Sequence, residues 1–240
     1  MIAFKTIRDR ATKRKGGEAA LEALLPKVPS PKALAGLKDD RVLAAMAKRI
    51  FSAGFVWSVI EKKWPGFEAA FLKFDVKRLN FQPDEFWEKL AGDARIVRNP
   101  QKIAAVRDNA RFVADVAREH GSFGKFLAGW PLGDQVGLLE VLGKRGARLG
   151  GMTGQYFLRF IGMDVFVTSP DMIACLRDAG LDISEKASSK KDLGKVQDLF
   201  NAWQKQTGLP YTHLSRICAM SVGENYDAET LRRRGRGEEE

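Results

Sequence analysis

Three features of this 240-residue chain predict an all-α fold. Apolar residues recur at three- and four-residue spacing over most of its length, the period of a helix with one buried face. These runs open at Ser, Asp or Pro and close at Gly, as helix caps require. No stretch alternates apolar with polar residues between turn signals, so there is no sheet to propose.

In chain order, residues 1 to 39 read as a basic start, a short helix at Glu18 to Leu25 and a proline-punctuated connector, PKVPSPKAL. They are expected to form a solvated peripheral arm. From Asp40 the helical pattern strengthens. Asp39 or Asp40 is placed to cap, and Val42, Leu43, Met46 and Ile50 share one face up to Ser52-Ala53-Gly54. A helix from Phe55 to Glu61 carries Phe55, Val56, Trp57 and Ile60, and Pro65-Gly66 is read as opening another, with Phe67, Ala70, Phe71 and Phe74 on its apolar side. A further helix runs from Pro83 through Phe86, Trp87 and Leu90. The clearest one follows Pro100, where Ile103, Val106, Ala110, Val113 and Ala117 form a stripe of about twenty residues ending at Gly121. Residues 132 to 143 predict one more.

The stretch from Lys144 to Leu176 then changes character. Gly150 and Gly151 suit a tight hairpin, and Thr153 is placed to cap a helix with Tyr156, Phe157, Phe160 and Ile161 on its apolar stripe. A helix opening on glycines offers free N–H groups to an anion, and in a chain of net charge +10 the anion to consider is a DNA phosphate. Ser169, Pro170 and Asp171 form a helix start: cap, first helical position and a carboxylate favoured by the helix dipole. The plainer reading is that Asp171 only caps. A polar loop, SEKASSKKD, leads to a helix with Leu193, Val196, Leu199, Phe200 and Trp203, and a last helix follows Pro210 with Leu214, Ile217 and Cys218. Roughly ten helices result. The tail LRRRGRGEEE is expected to be disordered.

At 45% hydrophobic residues the chain is long enough for one substantial domain or two small lobes. No run approaches about eighteen consecutive apolar residues, and MIAFKTIRDRATKRK lacks an apolar signal core, so a soluble, cytoplasmic, nucleoid-associated protein is expected. Cys175 and Cys218 lie in apolar sequence and are expected to be reduced core thiols. With His120 and His213 they show no metal-ligand spacing, so neither a structural zinc nor an iron-sulfur cluster is expected. The pI near 9.7, with Lys and Arg spread from Lys5 to Arg236, points to a polyanionic partner.

The runs SAGFVWSVIEKKWPGFEAAFLKFD, DARIVRNPQKIAAVRDNA and KRGARLGGMTGQYFLRFIGM carry a family likeness. The chain resembles, over about residues 40 to 180, the bacterial DNA-3-methyladenine glycosylase I family of the helix-hairpin-helix glycosylase superfamily. Its most specific part is Ala53-Gly54 with Trp57, followed about forty residues later by D-A-R-I-V-R-N-P-Q-K-I and then Asn109-Ala110. Fold alone does not fix activity. The resemblance implies two helical lobes around a base-binding cleft within residues 40 to 226, between the arm at 1 to 39 and a disordered charged tail at 227 to 240. It implies extrusion of a damaged base, expected to be alkylated, and hydrolysis of the bond joining it to deoxyribose. Gly150, Gly151, Thr153 and Gly154 would grip the DNA backbone, with Lys144, Arg145 and Arg148 adding charge. The Gly54-Phe55 turn matches the family's inserting loop, Phe55 being the side chain that fills the vacated space, and Ser52 is expected to contact DNA beside it. Trp57 matches a tryptophan of the base pocket, which Tyr156 and Arg49 are expected to share.

The departures from the family also matter. The family's zinc site finds no matching cysteines and histidines, so a zinc-free relative without cofactor is implied. The base-reading glutamate, eight residues before the tryptophan, falls on Arg49. A cation cannot accept hydrogen bonds from, or pair with, a positively charged methylated purine. Other branches of the superfamily carry an aspartate about twenty residues after the hairpin glycines, and Asp171 fits, with Asp164 as rival. It would stabilise the developing oxocarbenium charge and activate water. No lysine lies between Leu149 and Leu158, so glycosylase action without lyase chemistry is expected. The expected partner is double-stranded DNA containing a damaged base, bound by a monomer, with no membrane. The alternatives are a non-catalytic helix-hairpin-helix protein binding distorted DNA, and a helical protein-interaction module. On the plainer view Trp57, Phe55 and Tyr156 are core, and the basic residues form a solvated face.

Overall fold

The computed structural model describes residues 3–236 and contains fifteen α-helices and one short 3-10 helix, with no strand among the described residues. In chain order the helices are α1 (Phe4–Lys15), α2 (Glu18–Glu22), α3 (Pro31–Ala35), α4 (Asp39–Ser52), α5 (Trp57–Ala70), α6 (Val76–Asn80), α7 (Asp84–Leu90), α8 (Pro100–His120), α9 (Phe123–Gly129), α10 (Gln135–Arg145), α11 (Gly151–Phe160), α12 (Pro170–Asp178), α13 (Lys190–Thr207), α14 (Tyr211–Ser221) and α15 (Ala228–Arg236). The all-α class expected from periodicity holds. None of these helices is long and apolar enough to cross a membrane.

The chain divides into two compact units. The first comprises residues 3–28, Pro131–Gly137 and Asp164–Arg236. Its core gathers Phe4, Ile7 and Ala11 of α1 with Met172, Cys175 and Leu176 of α12, Phe200 and Trp203 of α13, and Leu214, Ile217 and Cys218 of α14. Phe4 meets Trp203 at 5.1 Å between ring centroids, and Arg14 donates to the Met220 carbonyl at 3.1 Å. Residues 4–15 are therefore a helix packed into a core, where a peripheral arm is expected from the sequence. Phe4, Ile7 and Ala11 do recur at helical spacing, but the basic residues between them mask a stripe whose partners lie two hundred residues on. Both cysteines are buried free thiols.

The second unit comprises Pro29–Trp130 and Leu138–Met163 among the described residues. Here α8 is the axis. Asn99 accepts from the Lys102 N–H at 3.0 Å, Pro100 takes the first helical position, and Gly121 ends the helix at φ 84°. Its buried face, with Ile103, Val106, Ala110 and Val113, packs on α4. The connector read around Pro31 contains α3, whose Leu34 carbonyl lies where a side chain on Gly124 of α9 would stand, so only glycine allows that approach. Pro65 does not open a helix: α5 runs unbroken through it. A column of rings, Trp64 on Phe67 at 5.5 Å, Phe67 on Phe71 at 6.2 Å and Phe71 on Phe74 at 5.4 Å, offsets the lost backbone hydrogen bond.

The tail also departs from expectation. Residues through Arg236 continue as α15, with Leu231 against the first unit's core; residues 237–240 lie outside the described residues.

Candidate functional site

In the second unit, α4 ends in a turn that presents apolar side chains outward. Gly54 takes φ 73° and the Phe55 N–H donates to the Ser52 carbonyl at 3.1 Å. Phe55 is 42% exposed and Val56 50% exposed, so neither is core. Lys102, from the D-A-R-I-V-R-N-P-Q-K-I motif, holds this turn. Its Nζ donates to the Phe51 carbonyl at 3.1 Å and to the Ala53 carbonyl at 2.7 Å, and sits 4.6 Å from the Phe55 ring centre. Burial, then the nearby Arg148, pushes the Lys102 amine down from its ordinary value. Ser52 does not belong to an exposed interface: it is buried, and its hydroxyl donates back to the Lys48 carbonyl at 2.7 Å.

Behind that turn stands an aromatic cage. The Trp57 ring meets Tyr156 at 6.0 Å and Phe160 at 5.8 Å, both edge-on, and Tyr156 stacks on Phe160 at 6.0 Å. All three rings are half-buried. Tyr156 and Phe160 share a face of α11 because they are four residues apart. The Arg49 guanidinium occupies this cage, 4.6 Å from the Trp57 centroid and 4.3 Å from that of Phe160. Arg49 is only 6% exposed, and its Nη1 is buried without a hydrogen-bond partner. The one carboxylate acting on it, Glu61, is itself bonded to Lys48 at 2.6 Å. Burial pushes the Arg49 guanidinium down to about 10, with Glu61 and Tyr156 acting in the opposite direction. Arg49, Trp57 and Tyr156, expected to share a base pocket, stand together. Phe160, whose helical spacing predicts only core, is a further wall of the cage.

The turn between α10 and α11 is a glycine hairpin held from below. Asn109 of α8 accepts from the Ala147 N–H at 2.9 Å and donates to the Ala147 carbonyl at 2.9 Å. This residue lay in the quoted motif but carried no assigned role; its burial and paired amide show why the motif ends there. Gly151 has φ 58°, whereas Gly150, at φ −76°, is the N-cap. Nothing lies within 4 Å of a side chain built on either glycine, so the hairpin tip is open. Thr153 is therefore third in the helix instead of its cap. Gly154 is buried against Leu149 and Leu139, and its bareness serves packing. The basic residues are exposed, but none is unengaged. Lys144 pairs with Glu140 at 3.2 Å, Arg145 forms a two-pronged bond to Glu119 at 2.8 and 2.7 Å, and Arg148 donates to Gln101. Exposed pairs of this kind contribute only about 0 to 1 kcal/mol each.

In the first unit, Ser169 caps α12 by accepting from the Met172 N–H at 3.3 Å, so Asp171 is not needed as the cap. Asp171 is half-buried, and its carboxylate lies where a side chain on Gly223 would stand, at 2.5 Å from Oδ1. Gly223 thus makes room for it, a role with no local sequence signal. Asp164 is committed elsewhere: its two oxygens accept from the Tyr211 and Thr212 N–H groups at 3.1 and 2.8 Å, capping α14. For zinc the donors do not fit. Cys175 and Cys218 are sealed in the first unit's core, His213 bonds to the Pro26 carbonyl at 2.8 Å, and His120 packs on Phe126 at 5.0 Å in the second unit. No group of three or more His, Cys, Asp or Glu residues able to hold a metal stands together among the described residues.

These features define an all-helical protein with an open glycine hairpin and an aromatic cage. Residues 36–136 match the methyladenine glycosylase family model, and the assignment to that family made from the motifs is thereby supported. The match spans the Phe55 turn, Arg49, Trp57 and the Lys102–Asn109 motif, and ends before the hairpin. Among solved structures, a 3-methyladenine DNA glycosylase I is 23% identical over 58% of this chain and 82% of its own, with a TM-score of 0.46. The 3-methyladenine DNA glycosylase I of Staphylococcus aureus, solved for its recognition of 3-methyladenine, is 24% identical over 52% of this chain and 77% of its own, with a TM-score of 0.46.

Proposed function

We propose that the chain is a monofunctional DNA glycosylase that draws a damaged base out of the duplex and hydrolyses its N-glycosidic bond. The observation that carries this reading is the cage of Trp57, Tyr156 and Phe160 beside an outward-facing apolar turn, since base extrusion needs a stacking pocket and a side chain to fill the gap. The family match over residues 36–136 and the net charge of +10 support it.

In this reading the open hairpin at Gly150 and Gly151 takes a phosphate on main-chain N–H groups, while Lys144, Arg145 and Arg148 exchange their carboxylate and amide partners for phosphate oxygens. Phe55, with Val56, enters the vacated space. As the C1′–N bond breaks, positive charge develops on the sugar; water adds at C1′ and gives up a proton, and the base leaves protonated. Asp171 is assigned the stabilising negative charge and the activation of that water. With no lysine between Leu149 and Leu158, no amine is placed to attack C1′, and the strand stays uncut.

A panel of duplexes carrying single lesions, scored for abasic sites, tests the activity. Asp171→Asn should keep duplex affinity and melting temperature, because Ser169 caps the helix, yet slow base release about a hundredfold or more. Equal single-turnover rates for Asp171→Asn and wild type would remove Asp171 from the mechanism. One observation favours a second reading, a non-catalytic binder of distorted DNA: Arg49 already fills the cage. Tight binding of abasic duplexes with no base released from any lesion would establish it.

A further inference from the structure

Arg49 is both an occupant and an unsatisfied donor. A planar cation lies 4.3 to 4.6 Å from two ring centres, in the place where a cationic methylated base would be stacked, so that substrate would meet a like charge inside its own pocket. At the same time Nη1 is buried with no acceptor, and the neighbouring Glu61 is taken by Lys48. A buried donor without a partner is rare and costly, and points to an acceptor that arrives with a ligand.

We propose that the cage receives a neutral oxopurine, with the Arg49 guanidinium donating to a carbonyl oxygen and the adjacent ring nitrogen, and that it excludes purines carrying a positive charge. This rests on the glycosylase reading above and names its substrate class. Guanidinium N–H groups match the pair of acceptors formed by a purine O6 and N7 in two-pronged geometry. Hypoxanthine, the deamination product of adenine, presents that pair on a neutral ring. A purine entering the corner formed by the Trp57 and Phe160 rings would stack on one ring face and displace the guanidinium to the purine's own edge. The long, unbranched arginine stem permits that move, and the half-buried rings leave a way in. Stacking on the aromatics then replaces the cation–π contacts, and Nη1 gains its acceptor.

The test has two arms, both on the full chain. In the first, single-turnover release is compared for duplexes with one hypoxanthine, one uracil or one N3-methyladenine. Release of hypoxanthine at least tenfold faster than N3-methyladenine is expected, and Arg49→Met should erase or reverse that ratio. In the second, free hypoxanthine and free 3-methyladenine are titrated against tryptophan fluorescence at about pH 5, where 3-methyladenine is protonated and cationic. Hypoxanthine should quench with at least tenfold lower Kd, and the difference should vanish in Arg49→Met. Release of N3-methyladenine as fast as hypoxanthine, or faster, would overturn the inference and leave the glycosylase reading standing. No release from any duplex, with selective quenching by hypoxanthine, would overturn the glycosylase reading and keep the recognition. No release and no selective quenching would overturn both. The wild-type ratio and titration decide the matter even if Arg49→Met fails to fold.

Discussion

A guanidinium held among aromatic rings is maintained against its own solvation. Burial lowers the Arg49 guanidinium to about 10, so the folded state pays to keep it charged at neutral pH; a displacement of this size corresponds to about 3 kcal/mol, partly recovered by contact with Trp57 and Phe160 at about 1 to 2 kcal/mol. Replacing a buried charge by an apolar residue of similar length often stabilises. Arg49→Met should therefore gain about 1 kcal/mol at pH 7 in denaturant unfolding. The sign of its pH dependence follows from the lowered value. Above about pH 10 the folded wild type binds fewer protons than the unfolded chain, so wild-type stability rises relative to the variant and the gap narrows. A variant no more stable than wild type at pH 7 would show that the cage satisfies Arg49 as it stands. A cationic base about 5 Å from this charge would be repelled by about 3 kcal/mol at an effective dielectric near 20, enough to set specificity by two orders of magnitude.

Two short connections carry the expected DNA contacts, and each is pinned by α8. Lys102 ties the carbonyls at the end of α4, and Asn109 ties both polar groups of Ala147. Gly151, at φ 58° with open space before it, can accept a β-branched residue only by straining the backbone that would offer N–H groups to phosphate. Gly151→Val should weaken binding to all duplexes alike, because a phosphate contact carries no base information. Unchanged affinity of the folded variant would place the hairpin away from DNA. Phe55→Ala should instead keep general affinity while losing preference for duplexes with a missing or flippable base, by about 1 to 3 kcal/mol. Its 42% exposure means that little core packing is lost, so the melting temperature should stay unchanged. If the preference survives, Val56 is the next candidate.

At the scale of the whole molecule the dominant quantity is charge. With a net +10 and the basic residues near the hairpin engaged only in exposed bonds, binding to duplex DNA should release counterions. Log affinity should fall linearly with log salt at about −0.9 per phosphate neutralised, and removing Arg148 should reduce the slope by about one contact. A flat dependence would exclude DNA as the partner. Each unit has its own hydrophobic core: one around Phe166, Phe200 and Trp203, the other around α4 and α8 with the ring column of α5. The chain crosses from one unit to the other four times between residues 28 and 164, so no single cut separates them in sequence.

The amino-acid sequence by itself determines what depends on neighbours within a turn of helix. The Pro100 start and Gly121 stop of α8, the Ser169 cap of α12, the breaks at Gly54 and Gly150, and the helical stripe of Tyr156 and Phe160 were all legible, because capping bonds and amphipathic spacing span three or four residues. The family motif was legible too, but not the work of its members. Lys102 and Asn109 act on atoms about fifty and forty residues away. Tertiary packing decided that Arg49 would pack against Trp57 and Phe160, that Ser52 and Gly154 would be buried, and that Gly223 would clear space for Asp171. It also decided that α1 would pack on α14 instead of remaining an arm. None of these has a local signal, since a side chain at a given helical position has the same rotamers and propensity whether it meets solvent or a ring a hundred residues distant. Only the contacts made when helices dock, each worth little until its partners are in place, select between the two.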